Sequence, residues 1–197
     1  MIPRAITKEE LAALPIRHYD GEVALAATPG ELERAMEEIR AEGVAGFDTE
    51  TRPAFKKGQS YLPSLIQVAT ARKVHLFQLS RLDFSAAAAE LLGSPTIVKA
   101  GIGLAYDLGQ LNRLFPFDAT AVLDLGEIAK RHGFQQSGLR NLAGLFLGFR
   151  IPKGAQTSNW AAPRLSEQQL RYAATDAWAC RELYLRFEQL GMLAAGR

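Results

Sequence analysis

The chain has 197 residues, 48% of them hydrophobic, and a single cysteine, Cys180. This is enough for one buried core, and one cysteine excludes an intrachain disulfide and suits a reducing, cytoplasmic setting. A net charge of +2 does not mark a nucleic-acid binder by bulk charge, although a local groove remains open to it, and no apolar run reaches the roughly 18 residues of a membrane span.

Residues 1–21 read as an N-terminal extension whose charges interrupt any secretory-signal pattern, and the domain proper is expected over 22–197. EVALAA (22–27) reads as a strand. A helix is expected from Pro29 to Glu42, with Thr28 as N-cap, Glu31 closing a capping box and Gly43 as the stop. VAGFDTE (44–50) follows as a strand, and its alternation sends Asp48 and Glu50 to one face. SLIQVAT (64–70) and KVHLFQL (73–79) read as an antiparallel hairpin, without the usual Asn-Gly turn.

A helix near 83–92 leads to a strand over 95–101. The next helix, about 103–115, puts Leu104, Asp107, Leu108 and Leu111 on one side, so Asp107 borders an apolar stripe. A short strand at 122–125 and helices near 125–132 and 137–148 come next. The Gly- and Pro-containing stretch 148–164 is a long loop, and loops of that length are often functional. Ser166 and Gln169 then form a capping box for a last helix to about Leu190, on which Tyr172 and Asp176 sit one turn apart. The fold class is therefore α/β: a mixed sheet flanked by helices in a single domain.

Asp48, Glu50, Asp107 and Asp176 repel one another if they converge, and such a cluster is tolerable around cations. Hard carboxylate oxygens favour Mg2+ or Mn2+, and two such ions suit in-line attack on a phosphodiester. Asp48 is placed to bridge the pair, Glu50 and Asp176 to complete one ion, and Asp107 to hold the other mostly through water. Tyr172 is a poor base at its ordinary pKa of about 10, so its expected task is to orient the attacking water. Asp124 reads as a helix N-cap rather than a fifth ligand, and GIG (101–103) as a helix-start turn. His18, His75 and His132 show no ligand spacing and read as structural or solvated.

With these residues placed, FDTETRP, KAGIGLAYDLGQL and TSNWAAPRLSEQQLRYAATDAWACREL resemble the three motifs of the DEDD superfamily of 3′–5′ exonucleases, in its tyrosine-containing branch. Within it the chain is similar to ribonuclease D and Werner-type exonuclease domains over residues 22–190. The resemblance implies a ribonuclease H-like fold and hydrolysis of DNA or RNA from the 3′ end to nucleoside 5′-monophosphates with two divalent cations. It assigns the ligands to Asp48, Glu50, Asp107 and Asp176, and the water-orienting role to Tyr172. Ribonuclease D relatives carry helical nucleic-acid-binding domains that do not follow Asp176 here before Arg197, which leaves substrate choice and processivity open.

Substrate contacts are expected from Thr49, Arg52, Lys56 and Lys57 around the first motif, and from Lys153 and Trp160 in the long loop. The lysines would meet phosphate; the Trp160 indole either stacks on a base or anchors the loop by packing. Two other functions compete: a silent nucleic-acid-binding module, which would be expected to have lost a carboxylate, and an enzyme for very short oligomers. RNA and DNA differ by the 2′-hydroxyl, and no residue is assigned to that contact, so ribonuclease D-like trimming of structured RNA stands beside a DNA substrate. The partner is nucleic acid and not a membrane; no sequence pattern sets an oligomeric state.

Overall fold

Side-chain alternation along VAGFDTE decides which helices the central strand meets on each face. In the computed structural model, which describes residues 2–56 and 58–194, six strands form one mixed sheet. They are β1 (Glu22–Ala26), β2 (Val44–Glu50), β3 (Leu65–Ala69), β4 (Lys73–Gln78), β5 (Val98–Gly101) and β6 (Val122–Asp124). Their order is β1-β4-β3-β2-β5-β6, with β2–β3 and β3–β4 antiparallel and the other pairs parallel.

Phe47, Ile66, Val68 and Phe77 face α2 (Pro29–Arg40), α3 (Ser85–Gly93) and α4 (Leu104–Asn112) in one apolar layer. Leu65, Ala69, Val74 and Leu76 face the other way, under α7 (Glu167–Gln189). A third cluster joins Leu125 and Ile128 of α5 (Leu125–Arg131) and Leu142 of α6 (Leu139–Leu142) to Leu183 and Phe187 near the end of α7.

Local signals explain most boundaries. Ser166 Oγ accepts the Gln169 N–H while Gln169 Oε1 accepts the Ser166 N–H, so both arms of the expected capping box are present. At α2, Thr28 Oγ1 accepts the Glu31 N–H, but the Glu31 carboxylate reaches one residue further back, to the Ala27 N–H. The β3–β4 turn closes without Asn-Gly because the Thr70 N–H and hydroxyl both donate to Lys73 O, at 2.9 Å each.

Two expectations change. The helix foreseen over 137–148 is a four-residue α6 followed by a π turn, Ala143–Leu147, which ends at Gly148 with φ +71°. The N-terminal extension contains a helix, α1 (Lys8–Ala13), whose Thr7–Glu10 capping box was a readable but overlooked signal. Residues just after α1 pair with the chain at Arg150: the Arg150 N–H donates to Pro15 O and the Arg17 N–H to Arg150 O.

One glycine sets the spacing between sheet and helix. A Cβ at Gly46 would lie 2.0 Å from Ala177 O and 2.8 Å from Arg181 N, so the α7 backbone rests directly on β2. Ala173, Ala174 and Ala177 of α7 are fully buried at that contact. Gly46→Ala is therefore expected to push α7 off β2, lowering stability by about 3 kcal/mol, the upper range for overpacking. Chemical denaturation would check this, and a variant as stable as the parent would show that α7 has room to spare.

Candidate active site

The close contact at Gly46 carries Asp176 of α7 against the end of β2. One carboxylate oxygen from each of Asp48, Glu50 and Asp176 lies within 4.8 Å of the other two. Glu50 and Asp176 are buried, and Asp48 is partly exposed. Asp176 Oδ1 is buried with no hydrogen-bond partner.

Burial and then the Asp176 and Asp107 charges hold the Asp48 carboxyl well above the usual range. Burial, reinforced by Asp48, pushes Glu50 up to about 10. Asp176 rises to about 6 through burial, against the opposing pull of Tyr172 and Arg140. An orphaned buried oxygen among three clustered carboxylates fits a divalent cation, which would satisfy the lone pairs and cancel the repulsion.

Asp107 stands outside the 4.8 Å group. Helix α4 packs on the opposite face of β2 from α7, so Asp107 approaches the strand end from the side of Thr49. Burial raises Asp107 to about 6, with the Thr49 hydroxyl pulling the other way. Thr49 is buried, and its Oγ1 makes no hydrogen bond of good geometry. Asp107 is still close enough for its charge to raise both Asp48 and Glu50.

Asp124 anchors this second helix. Its Oδ2 accepts the Gly103 and Leu104 N–H groups at 2.9 and 3.2 Å, while Oδ1 accepts those of Gly126 and Glu127. Both oxygens are thus spent capping α4 and α5, as the N-cap reading required, and Gly103 takes φ +72° at the turn.

Tyr172 is almost entirely buried. Burial first, then the Asp176 and Glu50 charges, raise its phenol pKa far above the ordinary value, so it stays protonated at neutral pH. Trp160 packs against it with ring centroids 6.0 Å apart. Trp160 has 0% of its surface exposed, so base stacking is closed to it; the indole is a packing anchor that fixes the loop under Tyr172. Cys180 is buried and its thiol pushed up by burial, which leaves no reactive thiolate.

A cleft of about 750 Å³ opens over Asp48, Tyr172 and Asp176 and is also lined by Arg140, Arg150 and Lys153. Arg52 and Lys56 do not line it: the exposed Arg52 guanidinium lies 4.0 Å from the centre of the Tyr61 ring, and Lys56 sits in an exposed turn. Lys57 lies outside the described residues. Among the described residues no histidine joins the carboxylate group, and His75 is buried with Nε2 3.3 Å from Glu38 Oε2. Sequence reasoning missed Arg140, whose charge acts on both Tyr172 and Asp176. It also missed Gln67, paired with Asp48 across β2–β3 and fully buried with both amide atoms unpartnered. The only signal for Gln67 was a polar residue inside the apolar run SLIQVAT.

Residues 24–191 match the family model described as 3′-5′ exonuclease. The chain belongs to this 3′–5′ exonuclease family. It is 30% identical over 188 residues to the bifunctional 3′-5′ exonuclease/ATP-dependent helicase WRN of Mus musculus, covering 90% of this chain and 13% of that one. It is 31% identical over 164 residues to ribonuclease D of Gluconacetobacter diazotrophicus, covering 81% of this chain and 41% of that one. The chain thus spans less than half the length of either relative. The structure of the Aedes aegypti Nibbler EXO domain superposes with a TM-score of 0.78 at 25% identity, covering 90% of this exonuclease chain and 94% of that one. No helix among the described residues is long and apolar enough to cross a membrane.

The raised carboxyl pKa values give the metal-free domain a definite pH dependence. Unfolded carboxyls titrate near pH 4, roughly, while Asp107 and Asp176 do so at about 6 and Glu50 at about 10 when folded. Below pH 4, approximately, both states are protonated and no penalty exists; as pH rises, the unfolded chain loses these protons first and stability falls. In EDTA the Tm should therefore drop between pH 5 and 8, and millimolar Mg2+ should raise it more at pH 8 than at pH 5. Scanning calorimetry checks both, and an equal Mg2+ shift in Asp48→Ala would count against a cation at the cluster.

Proposed function

We propose that the protein is a divalent-cation-dependent exonuclease that removes nucleoside 5′-monophosphates from single-stranded or recessed 3′ ends of DNA or RNA. The observation that carries this reading is the convergence of Asp48, Glu50 and Asp176 within 4.8 Å, at one part of a cleft lined elsewhere by basic side chains. The site follows the DEDD pattern with tyrosine. Asp48, Glu50 and Asp176 would hold one Mg2+ or Mn2+, and Asp48 with Asp107 would hold a second, Asp107 mostly through water. When bound, such a pair supplies acidity to the attacking water and neutralises charge on the departing 3′-oxygen.

Tyr172, kept protonated by its surroundings, orients the attacking water by hydrogen bond and does not take its proton. Lys153, in the lining of the cleft, meets a substrate phosphate, and the exposed Arg52 and Lys56 meet phosphates outside it. The buried Thr49 acts on substrate only indirectly, by supporting Asp107. Likeness to ribonuclease D favours RNA trimming as a second reading of the same chemistry. One buried cysteine suits a cytoplasmic setting.

A denaturing-gel time course on matched 5′-labelled RNA and DNA, single-stranded and with recessed 3′ ends, tests the proposal. A descending ladder in Mg2+ or Mn2+ is expected, and the faster substrate decides between the two readings. Asp176→Asn should cut the rate on the order of 10²–10³-fold, the scale of losing one preorganised electrostatic group, with the fold retained. Robust turnover by a well-folded Asp176→Asn protein would remove Asp176 from the mechanism.

A further inference from the structure

Helix α1 precedes residue 24, where the family match begins, yet it is fastened to the rim of the cleft. Ile6 and Gln136 exchange two hydrogen bonds, the Ile6 N–H to Gln136 Oε1 at 2.9 Å and Gln136 Nε2 to Ile6 O at 3.0 Å. Beyond the helix, Arg150 Nε donates to Leu14 O at 3.2 Å, and the backbone pairing of Arg150 with Pro15 and Arg17 adds two more bonds.

Between these ties lies an apolar seat. Gly144 has no Cβ, and one placed there would stand 2.6 Å from Leu11 Cδ1, 3.2 Å from Ile6 Cδ1 and 3.3 Å from Leu14 Cδ1. The extension thus fits into a notch made by a glycine of the π turn. Lys8, Leu11 and Ala12 of α1 line the same cleft as Asp48, Tyr172 and Asp176.

The cleft carries both signs of charge. Its carboxylates are Asp48 and Asp176, and its cations are Lys8, Arg140, Arg150 and Lys153. A strand with its terminal phosphodiester at the carboxylates would pass its next phosphates along the cations. We propose that α1 forms a wall of a subsite for the strand 5′ of the terminal nucleotide, with Lys8 gripping its phosphates together with Arg140 and Lys153. The subsite rests on the exonuclease reading for its direction, and it places a grip on single-stranded nucleic acid in a segment outside the family-matched residues.

Lys8 opens α1 after the Thr7 cap, where an acidic residue is favoured by the helix dipole, so Lys8→Glu should keep the helix. Binding of the full chain to a 5′-fluorescein single-stranded 12-mer would be followed by anisotropy in EDTA, so that nothing is cut. Lys8→Glu should weaken binding about tenfold and reduce the salt slope by roughly 0.7, one phosphate contact on a single strand. Arg34→Glu, an exposed charge reversal on α2 across the sheet, should leave both unchanged. The p-nitrophenyl ester of thymidine 5′-monophosphate, too short to reach α1, should be hydrolysed equally by parent and Lys8→Glu. Equal 12-mer affinity and salt slope in parent and Lys8→Glu, or equal weakening by Arg34→Glu, would overturn the subsite. A parent that binds the 12-mer in EDTA but hydrolyses neither substrate once Mg2+ or Mn2+ is supplied would sink the exonuclease reading, while the binding comparison would still judge α1.

Discussion

Backbone contact between α7 and β2 is the constraint on which the site depends. Gly46 removes the one side chain that would hold them apart, and the small residues Ala173, Ala174 and Ala177 keep the helix face flat. Only at that spacing does Asp176 come within 4.8 Å of Asp48 and Glu50. The same contact buries Tyr172 one turn earlier, against Trp160. Geometry and electrostatics are therefore one problem: the packing that brings the carboxylates together also strips their water.

Those carboxylates are a liability in the metal-free fold. Burial and mutual repulsion favour their protonated forms, whereas ligation of a cation requires the ionised ones. Arg140 pulls Asp176 down, yet the repulsion left among the carboxyls still raises Asp48 and Glu50. Asp107 illustrates a gentler arrangement. It comes from the opposite side of the strand on a helix pinned by Asp124, so it tunes the cluster without joining the closest group.

The basic side of the cleft is assembled from distant parts of the chain: α1, α6 and the loop after the π turn. None of these is rich enough in charge to stand out alone, and a near-neutral chain gives no hint of a polarised cleft. Polarity arises because β2 and α7 supply the carboxylates, whereas α1, α6 and the loop after the π turn supply the cations.

Much was legible in the amino-acid order. Alternation on VAGFDTE placed Asp48 and Glu50 on one face, the Ser166–Gln169 capping box set the start of α7, and four-residue spacing stacked Tyr172 on Asp176. These depend on neighbours within about one turn or one strand, where covalent geometry leaves few choices. Exposure was not legible: Trp160 has the composition of a base-stacking platform but lies wholly inside, and Arg52 turns to Tyr61 rather than to the cleft. Neither was the approach of Asp107 from the far face, nor the docking of α1 in the Gly144 notch. Local sequence determined which carboxylates share a strand or a helix face; the packing of α7, α4 and α1 around β2 decided which of them meet, because distances between elements are set by side chains far apart in the chain.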